Sequence, residues 1–283
     1  MFSMYIQALR DATEAGAASS RRYHGSFSSE TAVQEGVMSR LFVVLAALVA
    51  LTATPAFGAG KAVSYSVDGV DYEGYFSGAP DRPLLLLVHD WDGLTDYEIK
   101  RAEMLAELGY AVFAVDLFGA GVRPTETADK KELTGALYGD RQKMRALLAA
   151  GFQQGEAQGG DGSRAVAFGY CFGGAAVLEM ARSGADARGF VSFHGGLTTP
   201  EGQDYSQTKG TVVVFHGTAD SAVSMQDFAD LAVQLEQAGV PHEMITYSGA
   251  PHAFTVFGTE RYREEADRQS WNRFVRFLQE TLN

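Results

Sequence analysis

Cysteine is almost missing from this chain: its 283 residues contain one, Cys171. That count excludes an intramolecular disulfide framework and any cysteine-rich zinc site. Positive charge is scarce as well. Lys and Arg total 23 against 35 Asp and Glu, a formal net charge of −12, and the resulting field would repel nucleic acid and anionic membrane surfaces alike. A local basic pocket for a small anion stays compatible with that field. Internal repeats and mid-chain linkers are absent, and 46% hydrophobic with 20% charged residues is the balance of a globular chain.

A long apolar run is lacking too, with one short approach near the amino terminus. Residues 38–58 read MSRLFVVLAALVALTATPAFG: Met38, then Arg40, an apolar stretch from Leu41 to Leu51, and small residues at Ala56 and Gly58. This is the layout of a secretory signal peptide. The stretch is short for a membrane-spanning helix, which needs about 20 residues; a signal anchor is the competing reading. Within residues 1–37 the segment DATEAGAASSRRYHGSFSSE is small, polar and without sustained periodicity, and residues 1–37 are expected to be a disordered or non-native extension, with Met38 the physiological start. A genuine long n-region is the alternative. Cleavage would export the protein across the inner membrane to a bacterial periplasm, with no stable membrane association afterwards.

From residue 59 to 283 one domain is expected. Two strand-like runs, AVSYSV and VDYEGYFS, flank a DG turn. PLLLLVHD (83–90) is continuously apolar, as in a strand buried on both faces. A helix follows, with Thr95 and Glu98 as a capping box and Gly109 as its stop. Next come the strand YAVFAVDL, a helical region from about 130 to 157, the strand RAVAFGYC and a helix from Phe172 to about Ser183. GFVSFHG, TVVVFHG and HEMITYSG are further strands, and SMQDFADLAVQLEQAG is an amphipathic helix. The last helix carries Trp271, Phe274, Val275, Leu278 and Leu282 on one stripe. Such alternation predicts an α/β fold: a mostly parallel central sheet with helices on both faces, a three-layer sandwich.

In sheets of this kind ligands bind beyond the carboxyl ends of the strands. Three chemically capable residues stand just after apolar runs: Cys171 in GYCFGG, Asp220 in HGTAD and His252 in PHAF. Their order is nucleophile, acid, histidine, the order of the α/β-hydrolase arrangement. Gly169 and Gly173 flank the cysteine in the pattern G-x-nucleophile-x-G. A nucleophile on a sharp strand-to-helix turn leaves no room for side chains at those two positions, and the turn aims the Phe172 N–H at a developing oxyanion. Each residue has a plain structural alternative: a small buried cysteine, a turn aspartate and a loop histidine. Their joint order favours the triad.

These residues resemble the dienelactone hydrolase family of α/β-hydrolases, along nearly the whole chain from LLLLVHDWDGL to SGAPHAF. Cysteine in the elbow is the discriminating feature, since most α/β-hydrolases carry serine there. The resemblance implies Cys171 as nucleophile, His252 as base and Asp220 as the group that orients it. It also implies Trp91 as donor of the second oxyanion N–H. Where the family usually has a thiol-holding Glu this chain has Asp90, one methylene shorter. Asp90 is therefore a candidate thiol-orienting carboxylate, or a cap on the turn before the Thr95 helix. His89 reads as structural. Family arginines hold a substrate carboxylate; here Arg123, Lys130, Lys131 and the distant Arg261 are the candidate cations. Trp91, Tyr170 and Phe172 suggest a planar or apolar acyl group.

The activity implied is hydrolysis of a small-molecule carboxylic ester or lactone through a thioester acyl-enzyme, with no metal and no cofactor. A periplasmic thioesterase, a non-catalytic binding protein that keeps the fold, and a thiol redox role for Cys171 are the competitors.

Overall fold

A computed structural model describes residues 60–283; the expected extension 1–37 and signal peptide 38–58 lie outside the described residues. The chain opens with a hairpin of β1 (Lys61–Val67) and β2 (Val70–Ser77), paired in register from Lys61 with Phe76 to Val67 with Val70. Asp68 and Gly69 both take positive φ (50° and 77°) in the connecting turn, the conformation a two-residue hairpin needs to follow strand twist.

Six further strands and six helices follow: β3 (Pro83–Val88), α1 (Asp96–Glu107), β4 (Ala111–Val115), α2 (Thr127–Gly139), α3 (Arg141–Ala157), β5 (Asp161–Tyr170), α4 (Phe172–Arg182), β6 (Gly189–Phe193), β7 (Thr211–Gly217), α5 (Met225–Gln237), β8 (His242–Tyr247) and α6 (Glu264–Leu282). The sheet order is β1-β2-β4-β3-β5-β6-β7-β8. β1, β2 and β4 are joined antiparallel, and every pairing from β4 through β3 to β8 is parallel. The expected α/β architecture is thus present, with one antiparallel edge.

Strand parity divides the core into two layers. Leu84, Leu86, Val88, Phe113, Val115, Val212 and Val214 pack with Met144 and Leu148 of α3, Ala176 and Val177 of α4, and Leu231 and Leu235 of α5. On the opposite face Phe168 packs tilted and Phe193 edge-on against Phe274 of α6, with ring centroids 4.9 and 5.4 Å apart. There α1 and α6 are joined by a buried ion pair, Arg101 to Asp267. The capping box of Thr95 and Glu98 forms as expected.

One element departs from expectation. The helical region 130–157 is two helices, the first starting at Thr127 and the second at Arg141. Asp140 leaves helical geometry (φ −121°, ψ 79°), and its carboxylate accepts from the Lys143 N–H at 2.9 Å as a new N-cap.

Candidate active site

β5 ends at Tyr170, and the next residue turns the chain sharply into α4. Cys171 sits at φ 51°, ψ −111°, outside the regions open to an unstrained L-residue. Two close approaches explain its neighbours. A Cβ on Gly169 would lie 2.4 Å from the Gly173 carbonyl carbon, and one on Gly173 would lie 2.2 Å from Val88 O, backbone in both cases. The elbow therefore presses β5, α4 and the end of β3 together, and only hydrogen fits at both positions.

Asp220 follows β7. Its Oδ1 accepts from the N–H groups of Ala222 (2.8 Å) and Val223 (2.9 Å), and its Oδ2 accepts from His252 Nδ1 at 2.8 Å. With a carboxylate on Nδ1 the ring carries its proton there, which leaves Nε2 as an acceptor. Nε2 stands 3.1 Å from Cys171 Sγ. The three residues picked out at three strand ends are therefore one continuous hydrogen-bonded line. Burial alone would raise the Asp220 carboxyl, but the bond from His252 and the two backbone donors hold it below its ordinary value.

The thiol is the opposite case. Burial first, then the nearby Asp90, pushes Cys171 up to about 12, and the opposing Phe172 N–H is outweighed. Both influences favour the protonated thiol over the thiolate.

Asp90, Trp91, Cys171, Phe172 and His252 line one pocket of about 350 Å³. Asp90 is buried within it, and burial, reinforced by Asp92 and Glu98, raises its carboxyl well above the usual range. Its Oδ1 accepts from the Asp92 N–H at 3.0 Å, the turn-capping contact, while the thiol's hydrogen bond goes to His252. Tyr170 does not reach the pocket: it is buried on the α6 face against Phe193 and Tyr97. Among the candidate cations, Arg123 is paired with Asp116 and Lys130 with Asp92. Arg261 lines the pocket and is exposed, and no partner among the described residues engages its guanidinium.

Sequence reading missed Tyr138 and Thr134, which bring α2 into the pocket wall. The Tyr138 ring meets Phe172 edge-on at 5.3 Å, and the Arg141 guanidinium lies over the Tyr138 ring at 4.7 Å. Also missed was the support behind His252. Thr255 Oγ1 lies 2.8 Å from His194 Nε2 and 2.7 Å from Tyr97 OH, and the Thr255 carbonyl accepts from Arg101 Nη2 at 2.9 Å. The only signal for His194 was its place directly after the strand-like run GFVSF, where it takes φ 40°.

The dienelactone hydrolase family profile matches residues 73–282. The chain belongs to the dienelactone hydrolase family. Membership makes it a hydrolase of the carboxylic-ester and lactone class. A solved dienelactone hydrolase-like promiscuous phosphotriesterase from metagenomic libraries is 29% identical with a TM-score of 0.74, covering 79% of this chain and 98% of its own. A second solved structure, named m3DLH, is 30% identical with a TM-score of 0.75, covering 80% of this chain and 100% of its own. A Salmonella typhimurium protein provisionally named carboxymethylenebutenolidase is 23% identical over 69% of this dienelactone hydrolase-family chain and 76% of its own length.

Proposed function

We propose that this hydrolase cleaves a small carboxylic ester or lactone by acyl transfer to Cys171, with His252 as general base and Asp220 as its orienting carboxylate. The observation that carries the reading is the line of contacts from Cys171 Sγ to His252 Nε2 (3.1 Å) and from His252 Nδ1 to Asp220 Oδ2 (2.8 Å). His252 takes the thiol proton as sulfur attacks the carbonyl carbon. The C=O π electrons move to oxygen, and the oxyanion is met by the N–H groups of Phe172 and Trp91. As the tetrahedral intermediate collapses, the C–O bond to the leaving group breaks and His252 returns the proton to that alkoxide. The acyl group is then held as a thioester. Water, deprotonated by His252, attacks the thioester carbonyl; the C–S bond breaks, and sulfur recovers its proton from His252. Burial and the nearby Asp90 favour the thiol over a stored thiolate, so in this reading proton removal and attack go together.

The substrate's acyl part is planar or apolar, because Trp91, Tyr138 and Phe172 form the wall. The unpaired Arg261 at the same pocket favours a negative group on one end of the molecule. Hydrolysis of a thioester substrate would use the same machinery. Export to the periplasm is also part of this reading, supported by the signal-like layout of residues 38–58.

The test is turnover of p-nitrophenyl acetate and of an enol-lactone panel with and without a carboxylate, by the wild type and Cys171→Ala. Loss of at least about a thousandfold in kcat is expected for the variant, because the step it removes is covalent. Equal rates in two well-folded proteins would overturn the reading, as would tight ligand retention by the wild type without turnover.

A further inference from the structure

We infer that His89 is a positioning residue for the oxyanion hole: its ring holds the Asp90–Trp91 peptide so that the Trp91 N–H faces the pocket. This rests on the acyl-transfer reading above, in which that N–H receives the oxyanion.

His89 is fully buried and stands immediately after β3. The Phe118 ring packs against it at 4.6 Å and the Phe172 ring at 6.1 Å. Its two nitrogens are committed in opposite senses. Nε2 lies 3.1 Å from the Leu117 N, a backbone donor, so Nε2 must accept. Nδ1 lies 2.6 Å from the Asp90 carbonyl oxygen, which can only accept, so Nδ1 must carry the proton. One neutral tautomer satisfies both contacts, and burial, the largest influence on this ring, lowers its pKa and favours the neutral form. The ring thus fastens the loop after β3 to the loop after β4.

The consequence follows from peptide geometry. In a planar trans peptide the C=O and the following N–H point in opposite directions. With the Asp90 carbonyl turned inward to His89, the Trp91 N–H is turned the other way. His89 does not line the pocket, whereas Asp90 and Trp91 do. The adjoining donors in the turn are already occupied: the Asp90 N–H reaches Glu98 Oε1 at 3.4 Å, and the Asp92 N–H reaches Asp90 Oδ1 at 3.0 Å. Among the described residues nothing accepts from the Trp91 N–H. Without the imidazole donor the Asp90–Trp91 peptide would be free to rotate. A half-turn would present a carbonyl oxygen where the oxyanion forms, replacing attraction with repulsion.

The experiment compares two reactions of the same sulfur in the full chain. Acylation by p-nitrophenyl acetate builds an oxyanion. Alkylation by iodoacetamide does not, since sulfur displaces iodide at a saturated carbon. His89→Leu removes the donor and the acceptor. His89→Asn offers an amide N–H near the Nδ1 position, and His89→Gln reaches only toward Nε2. The Leu and Gln variants are expected to lose about ten- to a hundredfold in kcat, as for displacement of a catalytic group by about 1 Å. KM and the alkylation rate should stay within about twofold, and Asn should recover most of the loss. Should Leu fail to fold, the contrast between Asn and Gln carries the same test. Parallel loss of acylation and alkylation, or wild-type turnover in the Gln variant, would overturn the role of His89. Turnover surviving in Cys171→Ala would instead overturn the acyl-transfer reading beneath it.

Discussion

At the scale of single residues, the resting state of Cys171 separates this site from one built on a stored thiolate. A helix N-terminus ordinarily lowers a thiol's pKa, and the Phe172 N–H pulls that way here. Burial and the Asp90 carboxyl win, and the thiol is pushed to about 12. The sign of the expected pH dependence follows. A group whose pKa is raised stays protonated to higher pH, so the thiolate fraction grows throughout the accessible range. The iodoacetamide alkylation rate of the native protein is expected to climb steadily through neutral pH, with no plateau below about pH 10, where an unperturbed thiol near 8.5 would already have levelled off. Mass spectrometry of the Cys171 adduct across pH reads this directly. A plateau near neutrality would show a thiolate–imidazolium pair already formed, and the coupled proton removal argued above would fail.

At the scale of elements, the Cys171 elbow depends on two glycines, Gly169 and Gly173, that do not line the pocket. Gly173→Ala would drive a Cβ to 2.2 Å from Val88 O and 2.5 Å from His89 O. Both atoms are backbone, so neither can swing aside. Overpacking of this kind commonly costs about 1–3 kcal/mol and more where backbone must move, and here the upper end is expected, read as a fall in the urea midpoint. Activity should fall further than stability alone explains, because the displaced Val88–His89 backbone leads into the Asp90–Trp91 turn. A variant as stable and as active as the wild type would mean that the elbow is looser than drawn. Much of this element was legible in the sequence, since the G-x-C-x-G spacing states the steric requirement outright. The DG turn and the Thr95–Glu98 box were legible for the same reason: each is a local rule. α2 was not. Only Thr134 and Leu137 of that helix are buried, so its periodicity is weak, and Tyr138 joins the pocket through packing on Phe172. The break at Asp140 did carry a local signal, since glycine followed by aspartate is a helix stop and then a preferred N-cap, but the helical pattern on either side ran past it. Arg261 lies nine positions beyond His252, and the fold of that loop, not its spacing, brings it to the pocket.

At the scale of the whole molecule, one buried arginine ties the sheet face opposite α4 to the loop that carries His252. Arg101 of α1 is nearly inaccessible. Its Nη2 donates to Asp267 of α6 at 2.5 Å and to the Thr255 carbonyl at 2.9 Å. Its guanidinium lies over Phe257 at 4.2 Å and Trp271 at 4.9 Å. The same group thus holds two helices and the chain three residues beyond His252. Arg101→Leu would leave Asp267 buried without its cation, and removing one partner of such a pair costs about 3–5 kcal/mol. Burial already raises the Asp267 carboxyl, against the pull of Arg101; without Arg101 it rises further. A carboxyl whose folded pKa lies above its unfolded value of about 3.9 favours the fold only while protonated, and that contribution is lost as pH rises toward the folded value. The stability deficit of Arg101→Leu should therefore shrink as pH falls from 7 to 5. Adding Asp267→Leu should recover most of it at both values, since an apolar replacement of the whole pair removes the stranded charge. Urea denaturation of the three proteins at the two pH values measures all of this. A deficit below about 1 kcal/mol, or one that grows on acidification, would show that the pair is solvated and that the histidine loop is held by other contacts.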